Sequence, residues 1–289
     1  MNVAFVGVGA MGLPMARLVR RHHPLTVFDL DADRVAQLVA EGARAAASAS
    51  AAAQGADAVI VMVATPAQLK EALFGDDGVH AGLAAGTTVI IMSSVGIEAA
   101  VEAGRRLSAL GAHVVDAPVT GGVVRAVTGE LTALVGADPD ALAAALPLLH
   151  LMAAKVAHCG HRIGDGQAVK LVNQLLCSVH LAAAAEGLQF AHRLGLDPAK
   201  VLAAIESGAA ASFMLSDRGP RMLAAEQLPA LSAIDIFVKD SSLVLAAARE
   251  AGAVTPLTEQ ANKIFSLASR EGLGRSDDSS VIRVFEKER

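Results

Sequence analysis

Aromatic side chains are scarce in this sequence: they make up 3% of 289 residues, and Trp and Tyr are absent. Hydrophobic residues still reach 53%, with most of the surplus supplied by Ala. Small side chains allow close helix packing, and that much apolar surface points to a subunit interface. Cysteine is nearly missing. Cys159 and Cys177 are too few for a disulfide framework, so a reducing cytosol is the expected compartment. Charge is sparse as well, at 18% with a net −5, which leaves no bulk-charge case for binding nucleic acid or an anionic membrane. No basic segment precedes the Gly-rich turn reached at Gly7, so no signal peptide is expected. The most tempting membrane candidate, Ala43 to Ala64, is broken by Arg44, Gln54, Gly55 and Asp57, and no transmembrane helix is expected. The expectation is a cytoplasmic protein, long enough for two domains, with neither nucleic acid nor membrane as partner.

Metal ligands are wanting too. Asp29, Asp31 and Asp33 mimic the start of a calcium loop, but its sixth position is Arg34 and its twelfth Ala40. Asp31 is better read as a helix cap. His158-Cys159-Gly160-His161 looks like a metal box without a fourth ligand at zinc-like spacing, and reads as a linker.

What is present begins at the N-terminus. Asn2 to Val6 is a short apolar run, followed by Gly7-Val8-Gly9-Ala10-Met11-Gly12 and a helical pattern to about Arg21. A strand, G-x-G-x-x-G and a helix form the context in which the motif cradles a dinucleotide pyrophosphate. The first Gly turns the chain tightly, the second admits the phosphates, and the third lets helix and strand pack closely. The next strand, Leu25 to Phe28, ends at Asp29, whose carboxylate can accept from adenosine ribose hydroxyls and would repel a 2′-phosphate. Leu30 follows at a position where an Arg would suit NADP, so the expected cofactor is NAD. Ala58 to Ala64 and Thr88 to Met92 are continuous apolar runs suited to strands buried on both faces. Strands alternating with helices predict a parallel, doubly wound sheet, with Gly9, Thr65 and Ser94 on its ligand-binding rim. His113 to Asp116 and Leu131 to Val135 are further strands, and Pro139 to Met152 a helix.

Between those last strands, Thr120-Gly121-Gly122 can bend the backbone so that N–H groups converge on an anion, such as a substrate carboxylate. Taken alone, the same residues serve equally as an ordinary strand-to-turn connection. Then a long helix is predicted over residues 165–194, with Asp165 as its cap and Gly195 with Pro198 as its stop. About 30 helical residues span roughly 45 Å, enough to run from one packing environment into another. Lys170, Asn173 and Gln174 fall at i, i+3 and i+4, so one face carries an ammonium beside two amides. Such a trio could be a solvated patch, but Lys170 lies among Ala168, Val169, Leu171 and Val172, and Gly164 and Gly166 let another backbone come close. Beyond it only helices are predicted: from Asp197 through Ile205, Phe213 to Ala225, Ser232 to Ala251, Pro256 to Ser269, and one capped by Asp277-Asp278. Lys239, in Asp235 to Asp240, reads by itself as salt-bridged or snorkelling. The domain division expected is 1–163, doubly wound α/β of Rossmann type, and 164–289, all-α, joined by the long helix.

Four motifs in order now resemble the β-hydroxyacid dehydrogenases, the 3-hydroxyisobutyrate dehydrogenase-like family: Gly7-x-Gly9-x-x-Gly12, Asp116-Ala-Pro118-Val-Thr120-Gly121-Gly122, Gly164-Asp-Gly166-Gln-Ala-Val-Lys170-Leu-Val-Asn173, and Lys239-Asp240. The resemblance implies an oligomer, a homodimer or homotetramer, whose helical parts pack together. It implies that Lys170 is the catalytic Lys, that Asn173 helps hold substrate, and that Thr120, Gly121 and Gly122 take its carboxylate. Lys239 and Ser94 are then expected near the nicotinamide. The family's Asp-x-Ser-Thr-x-x-Pro is replaced here by Ile91-Met92-Ser93-Ser94-Val95-Gly96-Ile97, which puts the shape of that loop in question. Runs such as Val172 to Leu176, His180 to Glu186 and Asp235 to Asp240 are most similar to the L-threonate dehydrogenase subgroup, which oxidises four-carbon sugar acids with NAD. Gln174 then reads as an extra amide for a polyhydroxylated substrate.

The chemistry expected is oxidation of a small hydroxy acid. A neutral amine takes the hydroxyl proton, and a Lys lowered from about 10.4 towards 7–8 suits that task. The alternatives are a 3-hydroxyisobutyrate dehydrogenase or tartronate semialdehyde reductase, and, outside enzymes, an NAD-binding scaffold that has lost catalysis.

Overall fold

The computed structural model describes residues 1–224 and 229–286. The chain divides into two compact units, residues 1–170 and 171–289. In the first, strands and helices follow one another as β1 (Val3–Val6), α1 (Gly12–Arg20), β2 (Leu25–Phe28), α2 (Ala32–Ala40), β3 (Arg44–Ala45), α3 (Ala49–Ala53), β4 (Ala58–Val61), α4 (Pro66–Phe74), α5 (Val79–Gly82), β5 (Thr88–Ile91) and α6 (Ile97–Ala109). Then come β6 (His113–Asp116), β7 (Val119–Thr120), α7 (Gly122–Thr128), β8 (Leu131–Gly136), α8 (Pro139–Met152), β9 (Ala153–Gly160) and the long helix α9 (Asp165–Arg193).

Strands β3-β2-β1-β4-β5-β6 lie side by side and parallel. Their period of two sorts side chains between two cores. Val3, Phe5, Ile60 and Ile90 join Met15 and Val19 of α1 and Leu148 and Leu149 of α8. Ala4, Val6, Val59, Val61 and Val89 join Leu69 and Leu73 of α4 and Leu107 of α6. Every residue of β1, β4 and β5 is buried, which explains why these strands read as unbroken apolar runs. The order reverses between β1 and β4, the switch point at which such sheets receive ligands.

Past β6 the sheet departs from the parallel pattern. Pro118 breaks the strand into β6 and β7, and both pair antiparallel with β8. The segment around His158-Cys159-Gly160 is not a linker: it belongs to β9, which pairs parallel with β8. Its half-exposed, Lys- and His-bearing edge lacks the apolar run that marks an inner strand. His158 is held there through Nε2, 3.1 Å from the Ala137 carbonyl oxygen.

Helix α9 runs on into the helical unit, which adds α10 (Pro198–Ile205), α11 (Phe213–Met222), α12 (Ile234–Glu250), α13 (Pro256–Ala268) and a 3-10 segment, Asp278–Phe285. The predicted end of α11 at Ala225 lies outside the described residues. Leu181, Ala185 and Leu188 form the buried stripe of α9, against a core that includes Leu202, Leu215, Phe237, Phe265 and Val281. By length and composition it is α9, not 43–64, that is long and apolar enough to cross a membrane. The stretch 43–64 is instead divided among β3, α3 and β4.

Asp277 and Asp278 do more than cap. Asp277 Oδ2 is 2.8 Å from Arg221 Nη2, and Asp278 Oδ1 is 2.7 Å from Arg218 Nε. Burial works to raise Asp277, but bonds from Arg221, Ser279 and the Leu231 N–H outweigh it and hold the carboxyl at about 2. Both carboxylates are almost fully buried, so Arg218→Ala or Arg221→Ala leaves a buried charge without its partner. Each is expected to cost about 3–5 kcal/mol, read as a shift in the chemical-denaturation midpoint.

A candidate cofactor and substrate site

The Gly-rich turn connects β1 to α1. Gly7 has φ +92°, and a Cβ there would strike the Met62 carbonyl, so the tight turn accepts only glycine. A Cβ on Gly12 would strike the Gly7 carbonyl oxygen, the close helix–strand approach expected of the third glycine. At Gly9 a Cβ would meet only the tip of Arg34, 3.3 Å away, in a cradle that one side-chain carbon would begin to fill. Asp29 is tied to this loop: Oδ2 accepts from Val8 N–H at 2.6 Å and Oδ1 from Asp31 N–H at 2.8 Å. Asp31 in turn caps α2 by accepting from Arg34 N–H. Leu30 projects outward, 91% exposed. This backbone and carboxylate fit a dinucleotide. Thr65 stands just past β4, where its hydroxyl and Gln68 form a capping box on α4.

The loop after β5 is shaped by a residue on another element. Ser93 is buried; its Oγ accepts from Val63 N–H at 2.8 Å, stitching the ends of β4 and β5, while Ser94 is half-buried beside it. Gln167, in the first turn of α9, reaches into the loop. Its Oε1 accepts from Val95 and Gly96 N–H at 3.0 and 3.1 Å, and its Nε2 donates to the Ser93 carbonyl at 2.9 Å. That bracket holds the loop in which the Asp and Pro of the family pattern are missing.

The same amide donates to Asp116 Oδ1 at 2.7 Å. Asp116 Oδ2 accepts from Gly164 and Gln167 N–H at 3.1 and 2.9 Å. A carboxylate at the end of β6 therefore receives the opening N–H groups of α9, favourable to the helix dipole. Asp165, the expected cap, instead turns back to accept from Arg162 N–H at 3.0 Å. A Cβ on Gly166 would collide with the Leu134 carbonyl oxygen and press on Asp116, the close approach that the two glycines predicted. Asp116 and Gln167 are the site residues sequence reasoning missed. Both lie inside the motifs above, and the one available signal is a carboxylate directly after the buried pair Val114-Val115 of β6.

Burial pushes the Asp116 carboxyl up to about 6, only partly offset by the bonds from Gln167, Gly164 and Gly166. Because the folded-state value lies above the unfolded 3.8, Asp116 favours folding most below pH 4, and that contribution is lost as pH rises through 6. A shift of this size corresponds to about 3 kcal/mol. The difference in unfolding free energy between the native protein and Asp116→Asn is expected to change by about that amount between pH 4 and 7; a flat difference contradicts it.

Lys170 lies one turn beyond Gln167 on the same helical face and is 7% exposed, not a solvated lysine. Thr120 ends β7, and Gly121 and Gly122 have φ +131° and +73°, a double left-handed turn that side chains disfavour. A Cβ on Gly122 would meet nothing within 4 Å, leaving that backbone open to a ligand. Asn173, Gln174 and Lys239 belong to the helical unit. There Lys239 Nζ lies 2.8 Å from Asp240 Oδ1, as its isolated reading anticipated. Gln174 donates to Asp240 Oδ2 and accepts from Asn173.

A glycine cradle at the switch point, a ribose-ready carboxylate and a buried amine define a dinucleotide-dependent oxidoreductase. Residues 2–160 match the NAD binding domain of 6-phosphogluconate dehydrogenase, and residues 164–285 the family described as NAD-binding of NADP-dependent 3-hydroxyisobutyrate dehydrogenase. The chain belongs to the 3-hydroxyisobutyrate dehydrogenase-like family of NAD(P)-dependent hydroxyacid dehydrogenases. It is 37% identical over 285 residues to an L-threonate dehydrogenase of Cupriavidus necator, covering 98% of this chain and 96% of that one. It is 32% identical to a 2-hydroxy-3-oxopropionate reductase of Escherichia coli, covering 99% and 97%. A crystal structure of a 3-hydroxyisobutyrate dehydrogenase from Salmonella typhimurium is similar at a TM-score of 0.91 and 36% identity, covering 98% and 99%.

Proposed function

We propose that this protein oxidises a small hydroxy acid with NAD, most fittingly a four-carbon sugar acid such as L-threonate, to its 2-oxo acid. The observation that carries the reading is Lys170, buried on the helix that Gln167 bolts to the Ser93–Gly96 loop. Relatives named L-threonate dehydrogenase, 35–37% identical over 98% of the chain, support the substrate class. In this reading Gly7, Val8, Gly9, Ala10, Met11 and Gly12 hold the pyrophosphate, and Asp29 and Leu30 border the adenosine ribose. Thr65, Ser94 and Lys239 line the cofactor. Thr120, Gly121 and Gly122 take the substrate carboxylate, and Asn173 and Gln174 help hold its hydroxyl end. When bound, NAD supplies the hydride acceptor. Neutral Lys170 Nζ removes the hydroxyl proton, and in the reverse direction the protonated amine returns it to the carbonyl oxygen.

Division of labour follows the chain: residues 1–163 bind the dinucleotide, and 164–289 complete the substrate site and carry assembly into a homodimer or homotetramer in the cytoplasm. Val172, Leu176, Phe190 and Leu194 on or just after α9 are 48–62% exposed, apolar surface suited to such contact. The decisive experiment is NAD reduction measured with L-threonate, erythronate, 3-hydroxyisobutyrate and glycerate. Threonate is expected to give the highest kcat/KM; a clear preference for 3-hydroxyisobutyrate transfers the reading to the three-carbon branched acids.

Cofactor choice is a separate expectation. Asp29 places a negative charge where a 2′-phosphate would sit, so kcat/KM should favour NAD over NADP at least about tenfold, roughly 1.4 kcal/mol. Equal or better use of NADP contradicts that assignment.

A further inference from the structure

Ala233, at the N-cap of α12, has no side-chain oxygen with which to close the helix, and α12 carries Lys239 and Asp240 in its second turn. A stretch some forty residues further along the chain closes it instead. Ile234 N–H donates to the Ser276 carbonyl at 3.2 Å and Asp235 N–H to the Gly274 carbonyl at 3.0 Å. Ala233 and Asp277 form an antiparallel bridge, and Asp278 N–H donates to the Ser232 carbonyl at 2.7 Å. Residues 274–278 thus supply the cap that the sequence just before α12 does not.

Two ion pairs fasten this strap to α11. Arg221 grips Asp277 with Nε on Oδ1 at 3.1 Å and Nη2 on Oδ2 at 2.8 Å. Arg218 grips Asp278 in the same two-pronged way, at 2.7 and 3.1 Å. Asp277 has further partners: Oδ2 accepts from Leu231 N–H at 2.9 Å, and Oδ1 from the Ser279 N–H and Oγ at 3.2 and 2.5 Å. Arg221 Nη2 also reaches the Pro229 carbonyl at 2.9 Å. One buried carboxylate therefore joins α11, the segment that enters α12 and the strap that closes it. An intact buried pair adds little stability over apolar packing, but its two parallel bonds admit a single register.

We propose that Asp277 is a positioning residue for the dinucleotide site: by fastening residues 231–235 to the strap it fixes where α12 begins, and with that the place of Lys239. The inference rests on the reading above that Lys239 lines the cofactor. From Ile234 to Lys239 is about 7.5 Å of helix, so a displaced first turn carries the lysine with it.

A double-mutant cycle on NADH binding tests it. Asp277→Asn keeps the size of the side chain but leaves one acceptor oxygen where two served Arg221, Leu231 and Ser279. Amide exchange in peptides covering Ile234 to Phe237 should quicken about tenfold, and Kd for NADH by fluorescence titration should rise about fivefold. Lys239→Met alone should weaken NADH binding by a similar factor, and adding Asp277→Asn to it should weaken binding by less than about 1.5-fold more. Independent losses that multiply would make Asp277 a merely structural residue. Ser279→Ala removes one bond to Asp277 and no charge, so it is informative even if Asp277→Asn does not fold. It should raise Kd for NADH about twofold, and not at all once Lys239 is Met. Unchanged exchange at the start of α12 in folded Asp277→Asn, an unchanged Kd in both strap variants, or multiplying losses overturns the proposal. Normal NADH binding by Lys239→Met would instead remove the reading of Lys239 as a cofactor contact, and this inference with it.

Discussion

Lys170→Ala is expected to lower kcat about 10³-fold, within the range that positioned acid–base catalysis supplies, while Kd for NADH by fluorescence titration changes less than about twofold. The amine projects from α9, one helical turn beyond Gln167, and is nearly buried. Truncation removes the proposed proton acceptor and leaves the Gly-rich turn and Asp29, on other elements, as they were. Lys170→Arg separates basicity from charge: a guanidinium keeps the positive charge and does not release its proton near neutral pH. That variant should be nearly as slow as Lys170→Ala. Turnover near the unsubstituted rate in Lys170→Ala removes the mechanism, and turnover near it in Lys170→Arg reduces the residue to an electrostatic contact.

The second large effect belongs to Gln167→Leu. The side chain satisfies Val95 N–H, Gly96 N–H, the Ser93 carbonyl and Asp116 Oδ1 at once, all in buried surroundings. Leu fills the space and bonds to none of them. At about 1–3 kcal/mol for each stranded group, with partial relaxation, the dinucleotide-binding unit should lose about 4 kcal/mol, or roughly 10 °C in Tm. Activity should fall more than binding of NAD, because the loop that holds Ser94 loses its tie to the helix that carries Lys170. Gln167→Glu does not restore it: its carboxylate would face Asp116, and no N–H would remain for the Ser93 carbonyl. A Tm within about 2 °C of the unsubstituted protein would show that the bracket is not what shapes this loop.

What could be read from the chain without coordinates was mostly local. Gly7 and Gly12 announce themselves because turn and close packing tolerate no side chain there. Asp31, Thr65 and Asp197 cap the helices they precede, since a cap bonds two or three residues ahead. β1, β4 and β5 are visible as apolar runs because both of their faces are covered. β7 and β9 were not, one too short and the other a half-exposed edge, and the antiparallel turn of the sheet went with them.

The candidate site divides along the same line. The residue types at Lys170, Asn173 and Thr120–Gly122 are chemical, and spacing on a helix or turn is enough to single them out. The groups that hold them in place act across 48 to 74 residues: Asp116 on Gly164, and Gln167 on Ser93. Gln174 reads as a second substrate amide, and only the tertiary structure brings Asp240 of α12 to its Nε2. Sequence determined which elements form and which side chains could react, because propensity, capping and side-chain chemistry act within a few residues. Tertiary structure alone decided which buried carboxylate meets which amide, because a hydrogen bond across such a separation depends on where the folded backbone brings its two ends.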